Sequence, residues 1–158
     1  MTPDYFIDPL RVARLQAVCE SWLYTPFRQR SCIKGPGGGV DCAGFVPACY
    51  LEIGAIRESV AIPPYNVDHG AHNTHSLLRD WFERPDVRRR VRRVDEDEAH
   101  LDGDMVFPKV GQSIHHIAIR IGNSVYHVWR PAGVCRMAID MRGVEIERSR
   151  YRLMEALP

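Results

Sequence analysis

Gly37-Gly38-Gly39-Val40-Asp41-Cys42-Ala43-Gly44-Phe45-Val46 is the stretch on which the reading of this chain turns. Three glycines in a row behind Gly35-Pro36 exclude regular structure, whereas the apolar run over residues 45–53, closed by Gly54, has the composition of a helix. The chain is therefore expected to leave a loop and enter a helix at Cys42. A free thiol has a pKa of ~8.5 and is mostly protonated at neutral pH, but the unpaired amides and positive dipole end of a helix N-terminus favour the thiolate. Cys42 is thus a candidate nucleophile. The competing reading is a buried structural cysteine, because free cysteine is among the most buried residue types. Cys49, among Ala48, Tyr50 and Leu51 in the same helix, is expected in the core.

Upstream, Asp8-Pro9 has the form of an N-cap followed by a first helical residue. Leu10, Val12, Ala13, Leu15, Val18 and Trp22 recur at helical spacing, which predicts an amphipathic helix to about Leu23. Downstream, Pro63-Pro64 breaks the chain before a short predicted helix over residues 74–82. Strands are predicted over residues 104–107, 116–121, 125–129 and 134–139, separated by Gly103, Gly111, Gly122-Asn123 and Pro131-Ala132-Gly133. Helices first and strands afterwards is the order of an α+β domain with an antiparallel sheet. With 158 residues, 45% of them apolar, residues 1–158 are read as a single domain with its own core.

The histidines supply the second half of a catalytic group. A two-residue turn at Gly122-Asn123 pairs Ile121 with Ser124, Ala118 with His127 and His116 with Trp129. His116 and His127 then share one face as diagonal neighbours, roughly 7 Å apart between Cα atoms, and His115 points to the other face. A three-residue loop would reverse the assignment, since a one-residue slip exchanges the faces. One imidazole beside a thiol can take its proton, and a second polar group on that ring fixes its orientation. Cys42 as nucleophile, His116 as base and His127 as orienter fill these parts, although each histidine alone has a structural reading.

Composition narrows the alternatives. Lys and Arg number 21 against 20 Asp and Glu, a net charge of +1 that gives no global field for nucleic acid or anionic membrane. No stretch approaches the ~20 apolar residues of a membrane span, and the N-terminus lacks the pattern of a secretory signal, so a cytoplasmic product is expected. Five irregularly spaced cysteines without a CxxC pair argue against a disulfide framework and against a zinc site.

The ordered set of Gly37 to Val46, Gly103-Asp104-Met105-Val106-Phe107, His116-Ile117-Ala118-Ile119 and Tyr126-His127 resembles the NlpC family of papain-like bacterial cell-wall peptidases. Trp22-Leu23-Tyr24-Thr25-Pro26-Phe27 fits the segment before the nucleophile in that family. The resemblance is closest to the branch found in phages, prophages and gene transfer agents. It implies N-terminal helices packed on an antiparallel sheet of about five to six strands. It also implies a thioester acyl-enzyme without metal or cofactor, acting on peptidoglycan stem peptides at the bond between D-glutamate and a diamino acid. Substrate contacts are expected from Asp41, Ala43, Tyr24, Phe27 and His115. Phe27 stands where the family has a tyrosine hydroxyl, and Ala43 where it commonly has serine. Phage tail proteins are possible partners under this resemblance, and access to the wall would come through a phage particle, lysis or a secretion device. The alternatives are a tail assembly protein that keeps the fold without turnover and a thiol enzyme that transfers or removes acyl groups.

Three features stay outside this scheme. His69, His72 and His75 lie in a Gly- and Pro-containing stretch read as a polar loop or cleft lid rather than a metal site. The run Arg88-Arg89-Arg90-Val91-Arg92-Arg93, followed at once by Asp95 to Glu98, is read as a self-neutralised solvent face or a tail-protein contact. Residues 144–157 are read as a closing strand or helix, with neither favoured.

Overall fold

The computed structural model describes residues 1–58, 77–109, 116–140, 145–146 and 148–156. A 3-10 turn at Tyr5–Ile7 leads into α1, Pro9–Ser21, where the Asp8 carboxylate accepts from the Leu10 amide at 2.9 Å and Pro9 occupies the first turn. That cap satisfies a helix-end donor that would otherwise need water. Trp22 ends the helix, and its buried indole donates to Glu52. The short antiparallel strands β1, Cys32–Ile33, and β2, Gly39–Val40, bracket the glycine loop and deliver the chain to α2, Cys42–Glu52. Two short helices follow, α3 at Leu77–Phe82 and α4 at Pro85–Arg88.

The main sheet has six antiparallel strands: β3, Val91–Val94; β4, Met105–Val106; β5, Ala118–Ile121; β6, Ser124–Trp129; β7, Gly133–Ala138; and β8, Arg150–Leu153. Their order is β3-β8-β4-β5-β6-β7. The architecture is therefore α+β, with the strand number expected. α1 and α2 lie together, and α2 lies against β5 and β6, closing a core that includes Leu15, Phe45, Ile119, Tyr126 and Val134. A smaller cluster of Val106, Ala118 and Val125 gathers Met137, Ile139 and Ile146.

The β5–β6 hairpin has the expected register, with Ile121 opposite Ser124 and Ile119 opposite Tyr126. Gly122 takes φ +58°, and Asn123 is not among the positive-φ residues. This is the pattern of a type II′ turn, whose twist suits two-residue hairpins.

The basic run keeps Arg88, Arg89, Arg90 and Arg93 exposed, as expected of a solvent face, but Val91–Val94 within it also forms β3 and pairs with β8. That pairing resolves the undecided C-terminal segment as a strand over Arg150–Leu153. Arg92 grips Asp4 through two bonds of 2.8 Å and also bonds Glu98. The expected neutralisation thus occurs inside a folded network. Arg152, 2% exposed, donates to the fully buried Asp104 at 2.6 and 3.0 Å, and Arg150 lies 3.6 Å from the same carboxylate. Buried charge is tolerated here because each cation meets an anion. The Glu98 carboxyl is held down to about 2 by the Arg92 guanidinium. His69, His72, His75 and the first residues of the predicted 74–82 helix lie outside the described residues.

Candidate active site

Asp41 builds the start of α2. Its backbone is extended, its Oδ1 accepts from the Gly44 amide at 2.8 Å and its Oδ2 accepts from the Arg30 amide at 2.8 Å. The first bond is an N-cap; the second ties the helix start to the preceding loop. Asp41 was expected to contact substrate. In the structure its buried carboxylate is engaged on both oxygens by the chain's own amides. Cys42 consequently occupies the first helical position, where helix amides and dipole favour an anion. The residue is 8% exposed.

The segment between α1 and β1 couples this helix start to the sheet. Tyr24 donates its amide to the Val134 carbonyl at 2.9 Å, and the Val134 amide returns a bond to the Thr25 carbonyl at 2.8 Å. One step on, Val40 donates to Pro26, and Arg28 donates to Val40. A ladder therefore runs from β7 through residues 24–28 to β2, ending two residues before Cys42. The approach at β7 is close. A Cβ on Gly133, which has φ +72°, would stand 2.2 Å from the Thr25 carbonyl oxygen. Only glycine fits both the left-handed backbone and the contact.

The histidines meet as the hairpin register predicts. His116, just before β5, and His127, in β6, are both buried, with Nε2 of His116 2.7 Å from Nδ1 of His127. Their rings cross at 84° with centroids 4.9 Å apart. Burial pushes the His127 pKa down to about 4, so that ring is neutral at neutral pH. Its Nε2 faces two sulfurs, the Met137 thioether and, at 3.4 Å, the Cys135 thiol. Trp129 meets the ring edge-on at 5.9 Å.

The two sulfurs were missed in the sequence. The signal lay in the next hairpin, where the Ala132 amide bonds the Trp129 carbonyl and Gly133 follows at positive φ. This three-residue connection sets His127 opposite Cys135. Of the other expected substrate contacts, Ala43 is buried beside Cys42, and Tyr24 is 78% exposed with φ +68°. Phe27 is half-buried in a bridge with Val40, and the Arg130 guanidinium lies 5.7 Å from its ring. His115 lies outside the described residues. All five cysteines are free thiols, and Cys49 is fully buried 4.0 Å from Cys19. Among the described residues no cluster of three side chains is set to hold a metal, and no helix is long and apolar enough to cross a membrane.

No family model matches the chain, and no curated protein matches it by sequence. Solved structures do share its fold. A protein described as similar to lipoprotein, of the NLP/P60 family, from Staphylococcus aureus subsp. aureus Mu50 aligns with a TM-score of 0.58 at 18% identity, covering 100% of this chain. The chain spans 45% of that protein's length. The P60 domain of an antigen from M. avium subspecies paratuberculosis aligns with a TM-score of 0.53 at 15% identity, covering 95% of this chain and 97% of that domain. At these identities the likeness is one of fold.

Proposed function

We propose that the chain is a cysteine peptidase that hydrolyses an amide bond of peptidoglycan stem peptides through a thioester acyl-enzyme. The observation that carries this reading is the buried 2.7 Å bond between His116 and His127, on the hairpin whose strands lie against the helix that starts at Cys42. In the proposed cycle His116 takes the thiol proton and the Cys42 thiolate attacks the amide carbon. The developing oxyanion meets the Cys42 backbone amide at the positive end of α2. The His116 imidazolium then gives its proton to the departing amine, leaving a thioester. Water, losing a proton to His116, cleaves that thioester to a carboxylic acid and the free thiol. His127 holds the His116 ring in register throughout.

The substrate class rests on the NLP/P60 fold likeness and on the family resemblance of the sequence. The D-glutamyl bond, a tail-associated role and delivery to the wall by a phage particle rest on the resemblance alone. Exposed Tyr24 and half-buried Phe27 are the proposed rim for the stem peptide.

The test is incubation of the chain with purified cell wall, followed by mass spectrometry of the released peptides and of Cys42. Fragment release by the wild type, a stem-peptide acyl group on Cys42, and loss of both in Cys42→Ala are expected. Release that persists in Cys42→Ala refutes the reading. One observation favours a second reading, a tail assembly protein without turnover: Cys42 is only 8% exposed. A thiol inert to iodoacetamide in a wild type that cuts no wall preparation would select it.

A further inference from the structure

Methionine sulfur has lone pairs and no hydrogen, so a ring nitrogen facing it must supply the proton. Nε2 of His127 faces Met137 and therefore carries its N–H. The ring is neutral because burial disfavours its charged form, which leaves Nδ1 as a lone pair. That lone pair lies 2.7 Å from Nε2 of His116, a distance at which two lone pairs repel and two N–H groups collide. Nε2 of His116 must then be the donor. Whenever the His116 ring holds a single proton, its lone pair is then on Nδ1.

We infer that Met137 is a positioning residue of this site, whose thioether fixes the tautomers of both buried rings and so leaves Nδ1 of His116 as the nitrogen able to accept a proton. The second sulfur cannot do this. Cys135 also meets Nε2 of His127, at 3.4 Å, but burial raises its pKa and keeps it a thiol, which can donate as well as accept. With Met137 removed, the Cys135 S–H donates to Nε2. The His127 proton then moves to Nδ1, which donates to Nε2 of His116, and His116 carries its own proton on Nδ1. A base protonated there cannot take a proton from a thiol. The sheet supplies the geometry: β7 sets Cys135 opposite His127 and Met137 opposite Val125, so both sulfurs reach one ring from adjacent positions on the same face.

The catalytic meaning of the lone pair rests on the peptidase reading, whereas the tautomers belong to the folded chain whatever it catalyses. The experiment separates the two. The full chain is labelled with 15N-histidine in a Cys42→Ala background, which removes any thiolate–imidazolium pair, and multiple-bond 1H–15N spectra are recorded at neutral pH. Both rings are expected as Nε2–H tautomers. Met137→Leu should shift His127 toward Nδ1–H, and Met137→Gln, whose amide oxygen accepts, should restore it. With Cys42 present, Met137→Leu should lower kcat about tenfold at unchanged KM, with recovery in Met137→Gln. An Nδ1–H tautomer of His127 in the parent chain overturns the inference, as does a Leu variant with both tautomers unmoved. Should the Leu variant not fold, the parent spectrum decides. Nε2–H rings in a chain that cleaves no wall peptide would support the tautomer lock and sink only the peptidase reading.

Discussion

Replacing Asp41 by alanine removes two bonds at once, and their sizes can be taken from their chemistry. The Gly44 amide loses an N-cap, which costs about 1 kcal/mol. The Arg30 amide loses a charge-assisted partner at 2.8 Å, which costs about 1.5 kcal/mol. Together they amount to about 2.5 kcal/mol. In a chain of 158 residues each kcal/mol moves the midpoint by about 2–4 °C, so Tm should fall by roughly 5–10 °C. Asp41→Asn separates the contributions: its oxygen still caps Gly44, while its NH2 group opposes the Arg30 amide, so it should recover about 1 kcal/mol. Thermal unfolding by circular dichroism, with urea titration to check that the m-value is unchanged, reads both variants. An alanine variant that melts with the wild type would refute the role assigned to this carboxylate. An Asn variant no better than Ala would show that the Gly44 bond is not the cap it is taken to be.

His127 makes stability depend on pH with a definite sign. Its folded pKa of about 4 lies below the ordinary 6.5, so the unfolded chain binds more protons between these values. Its contribution is complete above pH 6.5 and lost as pH falls through 4. The shift corresponds to roughly 3 kcal/mol, and His127→Gln should flatten that part of the urea-derived stability profile; an equally steep profile in the variant counts against it. Asp104→Ala takes from buried Arg150 its carboxylate at 3.6 Å and from Arg152 one partner beside Asp4 and Glu98, and should cost about 3–5 kcal/mol by denaturant titration. The double variant with Arg152→Met should recover part of the loss. Gly133→Ala forces a Cβ onto the Thr25 carbonyl at a left-handed residue. A loss of about 2 kcal/mol or more, with faster amide exchange at Val134, is expected.

The site was legible where local chemistry decides. Asp8-Pro9 announces a helix start because capping needs only a side-chain oxygen a few residues away, and the glycine run ahead of an apolar stretch announces another at Cys42. The Gly122-Asn123 turn fixes the register that brings His116 onto His127. β3 and β8 were not legible, because four of their eight residues are arginine. Arg92 and Arg152 lie in the sheet with Asp4 beside them as well as Glu98, and Asp4 comes 88 and 148 residues earlier in the chain, a meeting no periodicity encodes. The tie from Asp41 to the Arg30 amide was not legible for a related reason, since the partner lies eleven residues back and no local pattern names it.

The two rims of the main sheet answer the hazard of polymerisation differently. At the start of β7 the outward peptide groups of Val134 are already taken, because they are hydrogen-bonded to the backbone of Tyr24 and Thr25. A foreign strand would have to displace the chain's own connector to add there. At β3 the defence is brevity and charge: a four-residue rim with exposed Arg93 in its middle repels a copy of itself laid alongside. Strand-to-strand growth should therefore be resisted at β3 and at the Val134 end of β7, and loosening the 24–25 connector is the change that would lengthen the open template.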